Sequence, residues 1–168
     1  HRLCSFRVAR IRRSQRLRGN QKDLTMGLVL EGEEIKKVLR HREPMLLMDR
    51  MEKEGEFVSA QYTIRGDEPF LKGHFPGNPI VPGVIICEIM AQSCVLLIDN
   101  VPEGKLPVYA GLDKVRFKKM VRPGDTIVVK ARLQAKKEDY YVLEAKATVD
   151  GQICCKGLLS IFLANDNQ

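Results

Sequence analysis

The chain has 168 residues, 44% apolar and 29% charged, enough for one domain with a real hydrophobic core. Its net charge of +7 points to nucleic acid at first sight, but residues 1–25 hold 7 arginines and 1 lysine against a single acid, and the 20 basic and 20 acidic residues from Met26 onward cancel. Residues 26–168, the part expected to fold, are formally neutral, which excludes a uniformly basic nucleic-acid-binding body.

The leader at 1–25 is Arg-rich and almost acid-free. It reads as a transit peptide, as translation upstream of an initiator at Met26, or as a basic arm, and it is set outside the fold. No secretory segment and no apolar run of about 18 residues follows, so a membrane span is not expected. Cys4, Cys87, Cys94, Cys154 and Cys155 are odd in number and contain no CxxC pair. Neither a disulfide framework nor a zinc site fits that spacing, and a reducing compartment does.

From Met26 the elements follow in order. Gly32 to Leu39 carries early acids, late bases and apolar Ile35, Val38 and Leu39 at helical spacing, which predicts a short amphipathic helix. Met45-Leu46-Leu47-Met48 is expected to start a strand running past Arg50, and Glu54-Gly55 to turn it into a second strand, Phe57 to Ile64. Pro82-Gly83 starts a helix from Val84 to Ile98 that Asp99 to Pro102 ends. It is apolar on nearly every face, as a helix buried all round would be. Strands are expected at Val108 to Phe117, Asp125 to Ala135, Tyr140 to Val149 and Ile153 to Leu163, with Asp150-Gly151 as a type I′ hairpin turn. The predicted class is α+β, an antiparallel sheet wrapped around one long buried helix.

That helix carries Glu88 among apolar neighbours, where an ionised carboxylate is costly unless it is paired or protonated. Gln92, four residues on, lies on the same face and is placed to hydrogen-bond it. One reading is a core Glu satisfied by Gln92 and the backbone; the other is a general acid whose pKa is raised by desolvation. His74 sits beside Gly73 and the stiff Pro76-Gly77-Asn78-Pro79 segment, which would hold its side chain in place. His1 and His41 lack such a setting. A base, an acid and the free amides at Gly83 suit proton abstraction α to a carbonyl with loss of water from the β position. No nucleophile with a base, phosphate loop or metal spacing is apparent.

The stretch GHFPGNPIVPGVIICEIMAQ resembles the active-site signature of the 3-hydroxyacyl-[acyl carrier protein] dehydratases of the FabZ type. HREPMLLMDR and GLDKVRFKKMVRPGDTI resemble the family's flanking segments, and the likeness spans Met26 to about Leu163. The resemblance implies a hot-dog fold and a homodimer joined sheet edge to sheet edge, assembling to a hexamer as a trimer of dimers. It also implies a cytoplasmic enzyme of type II fatty acid biosynthesis. His74 would be the base and Glu88, from the other subunit, the acid; the Gly83 amide would take the thioester oxygen, with Phe75 and Gln92 beside it. The substrate would ride on the phosphopantetheine of acyl carrier protein, with no cofactor or metal of the enzyme's own. Glu88 stands where the related dehydratase-isomerases carry Asp. Lys114, Arg116 and Lys118 alternate along one strand and are either a solvated sheet face or a dock for the acidic carrier. The rival readings are a hot-dog thioesterase or acyl-CoA hydratase, and an acyl-sensing regulator using the leader as its arm.

Overall fold

The computed structural model describes residues 27–98 and 101–166. The leader and the Asp99-Asn100 stop signal lie outside them. Seven strands form one antiparallel sheet in the order β1-β2-β3-β5-β6-β7-β4. Their bounds are β1 Leu28–Glu31, β2 Arg50–Glu54, β3 Phe57–Thr63, β4 Lys105–Phe117, β5 Thr126–Lys137, β6 Tyr140–Val149 and β7 Gln152–Asn165. Helix α1, Pro69–Lys72, is a single turn; α2, Gly83–Ser93, continues as a 3₁₀ turn over Cys94–Leu97.

Strand period decides which side chains meet α2. On β6, Tyr141, Leu143, Ala145, Ala147 and Val149 are buried, while Glu144 and Lys146 between them face solvent. Ile127, Val129 and Ala131 of β5 and Leu159, Ile161 and Leu163 of β7 continue the same inner face. Against it lie Ile86, Ile89 and Met90 of α2, the last two fully buried. The expected all-round burial holds except near the helix start, where Val84 is 70% exposed and Ile85 and Glu88 are half-buried. Asp150 (φ 50°) and Gly151 (φ 76°) both adopt the left-handed backbone that the predicted hairpin turn requires.

Three local expectations are corrected. Gly32–Lys37 is a 3₁₀ helix instead of an α-helix, although Ile35 and Leu39 are buried as the pattern asked. Leu28–Glu31 forms an edge strand paired with β2 that the sequence reading omitted. Met45 to Met48 is not a strand: β2 begins at Arg50, and the backbone just before it bonds to the Gln92 side chain, with the Leu47 N–H donating to Oε1 (2.9 Å) and Nε2 donating to the Met45 carbonyl (2.7 Å). Leu47 and Met48 are nevertheless core residues.

Candidate active site

His74 lies on the loop between α1 and α2, and the loop is pinned at several points. The Val81 N–H donates to the Val121 carbonyl (2.9 Å), Arg122 Nη1 donates to Asn78 Oδ1 (2.7 Å), and the Asn78 N–H closes a turn onto the Phe75 carbonyl (2.9 Å). Phe75 takes a left-handed φ of 54° and its ring packs on the imidazole, centroids 4.2 Å apart. His74 Nδ1 is 2.8 Å from the Ile80 carbonyl oxygen. A carbonyl only accepts, so Nδ1 carries the hydrogen and Nε2 is left with its lone pair free.

Pro82 precedes α2, and the first-turn amides of Gly83 and Val84 have no acceptor within the helix. Gly83 lies close against the Phe117 ring: a Cβ there would stand 2.8 Å from Cε1 of Phe117. His74, Gly83, Val84, Phe117, Lys118 and Met120 line one cavity of about 600 Å³. Its lining is apolar and basic, with Val84, Phe117 and Met120 exposed beside Lys118 and Lys119; Phe75, also exposed, is not part of the lining.

Glu88 lies elsewhere on the same chain. With His41, Gln92, Tyr109 and Val95 it lines a smaller cavity of about 250 Å³ that does not include His74. Gln92, itself buried, donates from Nε2 to Glu88 Oε1 at 2.9 Å, as the i, i+4 spacing predicted. The expectation of a raised carboxyl pKa is corrected: the hydrogen bond from His41 outweighs desolvation and, with that from Gln92, holds Glu88 below the usual carboxylate range. His41 Nε2 is 3.2 Å from Glu88 Oε1. Sequence reasoning set His41 aside as part of a charged connection, and nothing in local spacing ties it to a helix so far along the chain. Tyr109 was also missed; its hydroxyl donates to the Cys87 carbonyl at 2.5 Å. The cysteines 87, 94, 154 and 155 are free and buried.

The basic stripe divides. The β4–β7 register slips between Asp113 and Arg116, and Lys114 takes a left-handed φ of 51°, so the simple alternation of Lys114, Arg116 and Lys118 is broken. Lys114 lines an open groove of about 730 Å³ on the outer sheet face, with Lys130, Arg132, Lys146 and Lys156. Lys118 belongs instead to the His74 cavity. Among the described residues no helix is long and apolar enough to cross a membrane.

Residues 39–157 match the family model described as the FabA-like domain. The chain is 44% identical over 140 residues to a 3-hydroxyacyl-[acyl-carrier-protein] dehydratase FabZ of Streptococcus pneumoniae strain CGSP14, covering 82% of this chain and all of the relative (100%). It is 44% identical over 126 residues to the FabZ of Oenococcus oeni strain ATCC BAA-331 / PSU-1, covering 73% and 91%. Among solved structures, the ApeI:P dehydratase heterocomplex of Xenorhabdus doucetiae superimposes with a TM-score of 0.65 at 22% identity, covering 78% of this chain and 91% of that one. The protein smu.793 of Streptococcus mutans, bound to acetyl CoA, gives a TM-score of 0.56 at 18% identity, covering 77% and 98%. These structural likenesses establish the hot-dog fold, and the sequence identity places the chain in the FabA-like family, among its FabZ-type 3-hydroxyacyl-[acyl carrier protein] dehydratases.

Proposed function

We propose that the chain dehydrates 3-hydroxyacyl-[acyl carrier protein] to the trans-2-enoyl thioester in fatty acid biosynthesis, with His74 as base and Glu88 as acid. The observation that carries the assignment of the base is the Nδ1–H···Ile80 bond, which leaves the Nε2 lone pair free on a residue that lines the cavity at the start of α2. Nε2 takes the C2 proton while the thioester oxygen, gaining charge, accepts from the Gly83 amide. The C2=C3 double bond forms as the C3–O bond breaks, and the departing hydroxyl receives its proton from Glu88 and leaves as water.

His74 and Glu88 line separate cavities of one chain. This supports a site completed by a second copy, His74 from one subunit and Glu88 from its partner. Strand β4 supports the same reading: it is an edge of the sheet and exposes Val108, Tyr109 and Leu112. Dimers joined along β4 would assemble further into the family's trimer of dimers. The carrier's acidic surface would meet Lys118 and Lys119 at the His74 cavity, with Lys114 and Arg116 as a more distant part of the dock. The reaction draws on no cofactor beyond the carrier's phosphopantetheine, and the enzyme works in the cytoplasm.

The test is enoyl formation from 3-hydroxybutyryl-[acyl carrier protein] by the parent, His74→Ala and Glu88→Gln. Turnover by the parent with a loss of about 10²–10⁴-fold in each folded variant supports the assignment. An inactive, folded parent, or a variant near the parent rate, contradicts it.

A further inference from the structure

Glu88 receives two donors on one oxygen, Gln92 Nε2 at 2.9 Å and His41 Nε2 at 3.2 Å. The second of these stands outside the acid–base pair. His41 Nδ1, the other ring nitrogen, is buried with no hydrogen-bond partner in the structure. The two imidazoles near the site are therefore held in opposite ways. On His74 the Ile80 carbonyl fixes the proton at Nδ1 and leaves a pure acceptor at Nε2. On His41 no protein group fixes the state of Nδ1, while Nε2 faces a carboxylate.

The consequence follows from the cost of each proton arrangement. With the proton on His41, the ion pair with Glu88 is attractive, but an imidazolium buries an unpaired N–H at Nδ1. With that proton moved to Glu88, His41 is left as the neutral Nδ1–H form: the charges vanish and Nε2 accepts from the carboxyl O–H, while the Nδ1–H stays unpaired in both arrangements, so what separates them is the cost of burying charge, which rises as water is expelled. The attraction of the ion pair and the cost of burying its two charges therefore oppose each other across this one contact. No other group competes for the role: of the remaining residues lining this cavity only Tyr109 is titratable, and burial, then the Glu88 charge, pushes its hydroxyl far above the ordinary phenol range. The Cys87 thiol, on the same helix, is engaged by Cys155 of β7.

We propose that His41 and Glu88 share a single proton across their contact, His41 being the positioning residue that stores it for Glu88. This rests on the assignment of Glu88 as the general acid. In the resting enzyme the proton lies on His41 Nε2. An acyl chain entering the cavity displaces water and shifts the proton to Glu88, whose O–H gives it to the C3 oxygen as that bond breaks. His74 meanwhile holds the proton from C2 and releases it to solvent; solvent returns one proton to His41. One water is lost from the substrate and the enzyme is restored.

The test compares the parent with His41→Gln, whose amide still donates to Glu88 but stores no proton. In the parent the alkaline limb of kcat reports the upper titration of the coupled pair, and in the variant that of Glu88 alone. The expected result is a fall in kcat of about 10²-fold at neutral pH with little change in KM. The alkaline limb moves to lower pH, so activity recovers in acid. A variant with the parent's rate and pH profile overturns the proposal. If the folded parent does not turn over the thioester, the assignment of function fails instead. A readout independent of turnover is the Glu88 side-chain carboxyl signal in a ¹³C NMR titration: it moves to higher pH in His41→Gln, and an unchanged titration also overturns the proposal.

Discussion

At the scale of single residues, the chain spends its few buried polar groups on fixing loops and holding Glu88 in place. Glu68, 6% exposed, accepts from the Arg65 and Gly66 backbone N–H groups, both at 2.7 Å, and from the Tyr62 hydroxyl at 3.3 Å. Desolvation raises its carboxyl, but the backbone bonds prevail and leave it below the usual carboxylate range. Because its folded pKa is depressed, its contribution is full above the unfolded carboxylate value and is lost as pH falls through the folded one. Glu68→Ala is therefore expected to lower stability by about 2 kcal/mol at neutral pH, with the gap to the parent narrowing in acid, measured by urea unfolding across pH. Gly83 offers a second residue-scale prediction. An added methyl stands 2.8 Å from the Phe117 ring, which is 55% exposed and free to swing outward. Gly83→Ala should keep the parent's thermal midpoint but lose about tenfold in kcat/KM, since a misplaced wall or amide acts on positioning.

At the scale of elements, α2 is tied to the segment before β2 by Gln92, whose three hydrogen bonds reach Met45, Leu47 and Glu88. Gln92→Leu strands a buried backbone N–H and a carbonyl, and is expected to cost about 2–4 kcal/mol in chemical denaturation while also loosening Glu88. On the outer sheet face, Lys130, Lys146, Lys156 and Arg116 stand directly opposite one another across β5, β6, β7 and β4. Like charges in cross-strand register repel, so Lys146→Glu should raise stability by about 0.2–1 kcal/mol at low salt, a gain that high salt erases. The same elements show what was legible beforehand. β6, the Asp150-Gly151 turn and the start of α2 followed from strand period, turn chemistry and a Pro-Gly helix start, all local signals; the expected helix to Ile98 is α-helical only to Ser93 and 3₁₀ over Cys94–Leu97. Met45 to Met48 misled because its apolar run satisfies its backbone through a side chain on α2, a partner no local window contains. The pairing of Glu88 with Gln92 was legible at i, i+4; that with His41 was not, since only the fold brings the two together. The β4 bulge at Lys114 left no mark either, as it depends on the register against β7, where Gly157 admits Val115 closely enough that a Cβ would lie 2.7 Å from Val115 Cγ2.

At the scale of the whole molecule, the proposed acid–base pair would need a second chain. The hot-dog sheet buries its inner face on α2 but leaves β4 as a long open edge with exposed apolar side chains, and it leaves His74 and Glu88 in separate cavities. A two-fold pairing along β4 would close that edge and create two equivalent sites. Leu112→Lys on β4, 49% exposed in the single chain, is expected to shift the sedimentation profile toward monomer and to lose activity in proportion. Complementation between the variants His74→Ala and Glu88→Gln, unfolded together and refolded as a mixture, decides whether the site is shared between subunits. If each site takes its base from one subunit and its acid from the other, half of the dimers regain one intact site, and activity returns to about a quarter of the parent's. A mixture that forms mixed dimers, verified by mass, yet stays as inactive as its components would contradict the shared site.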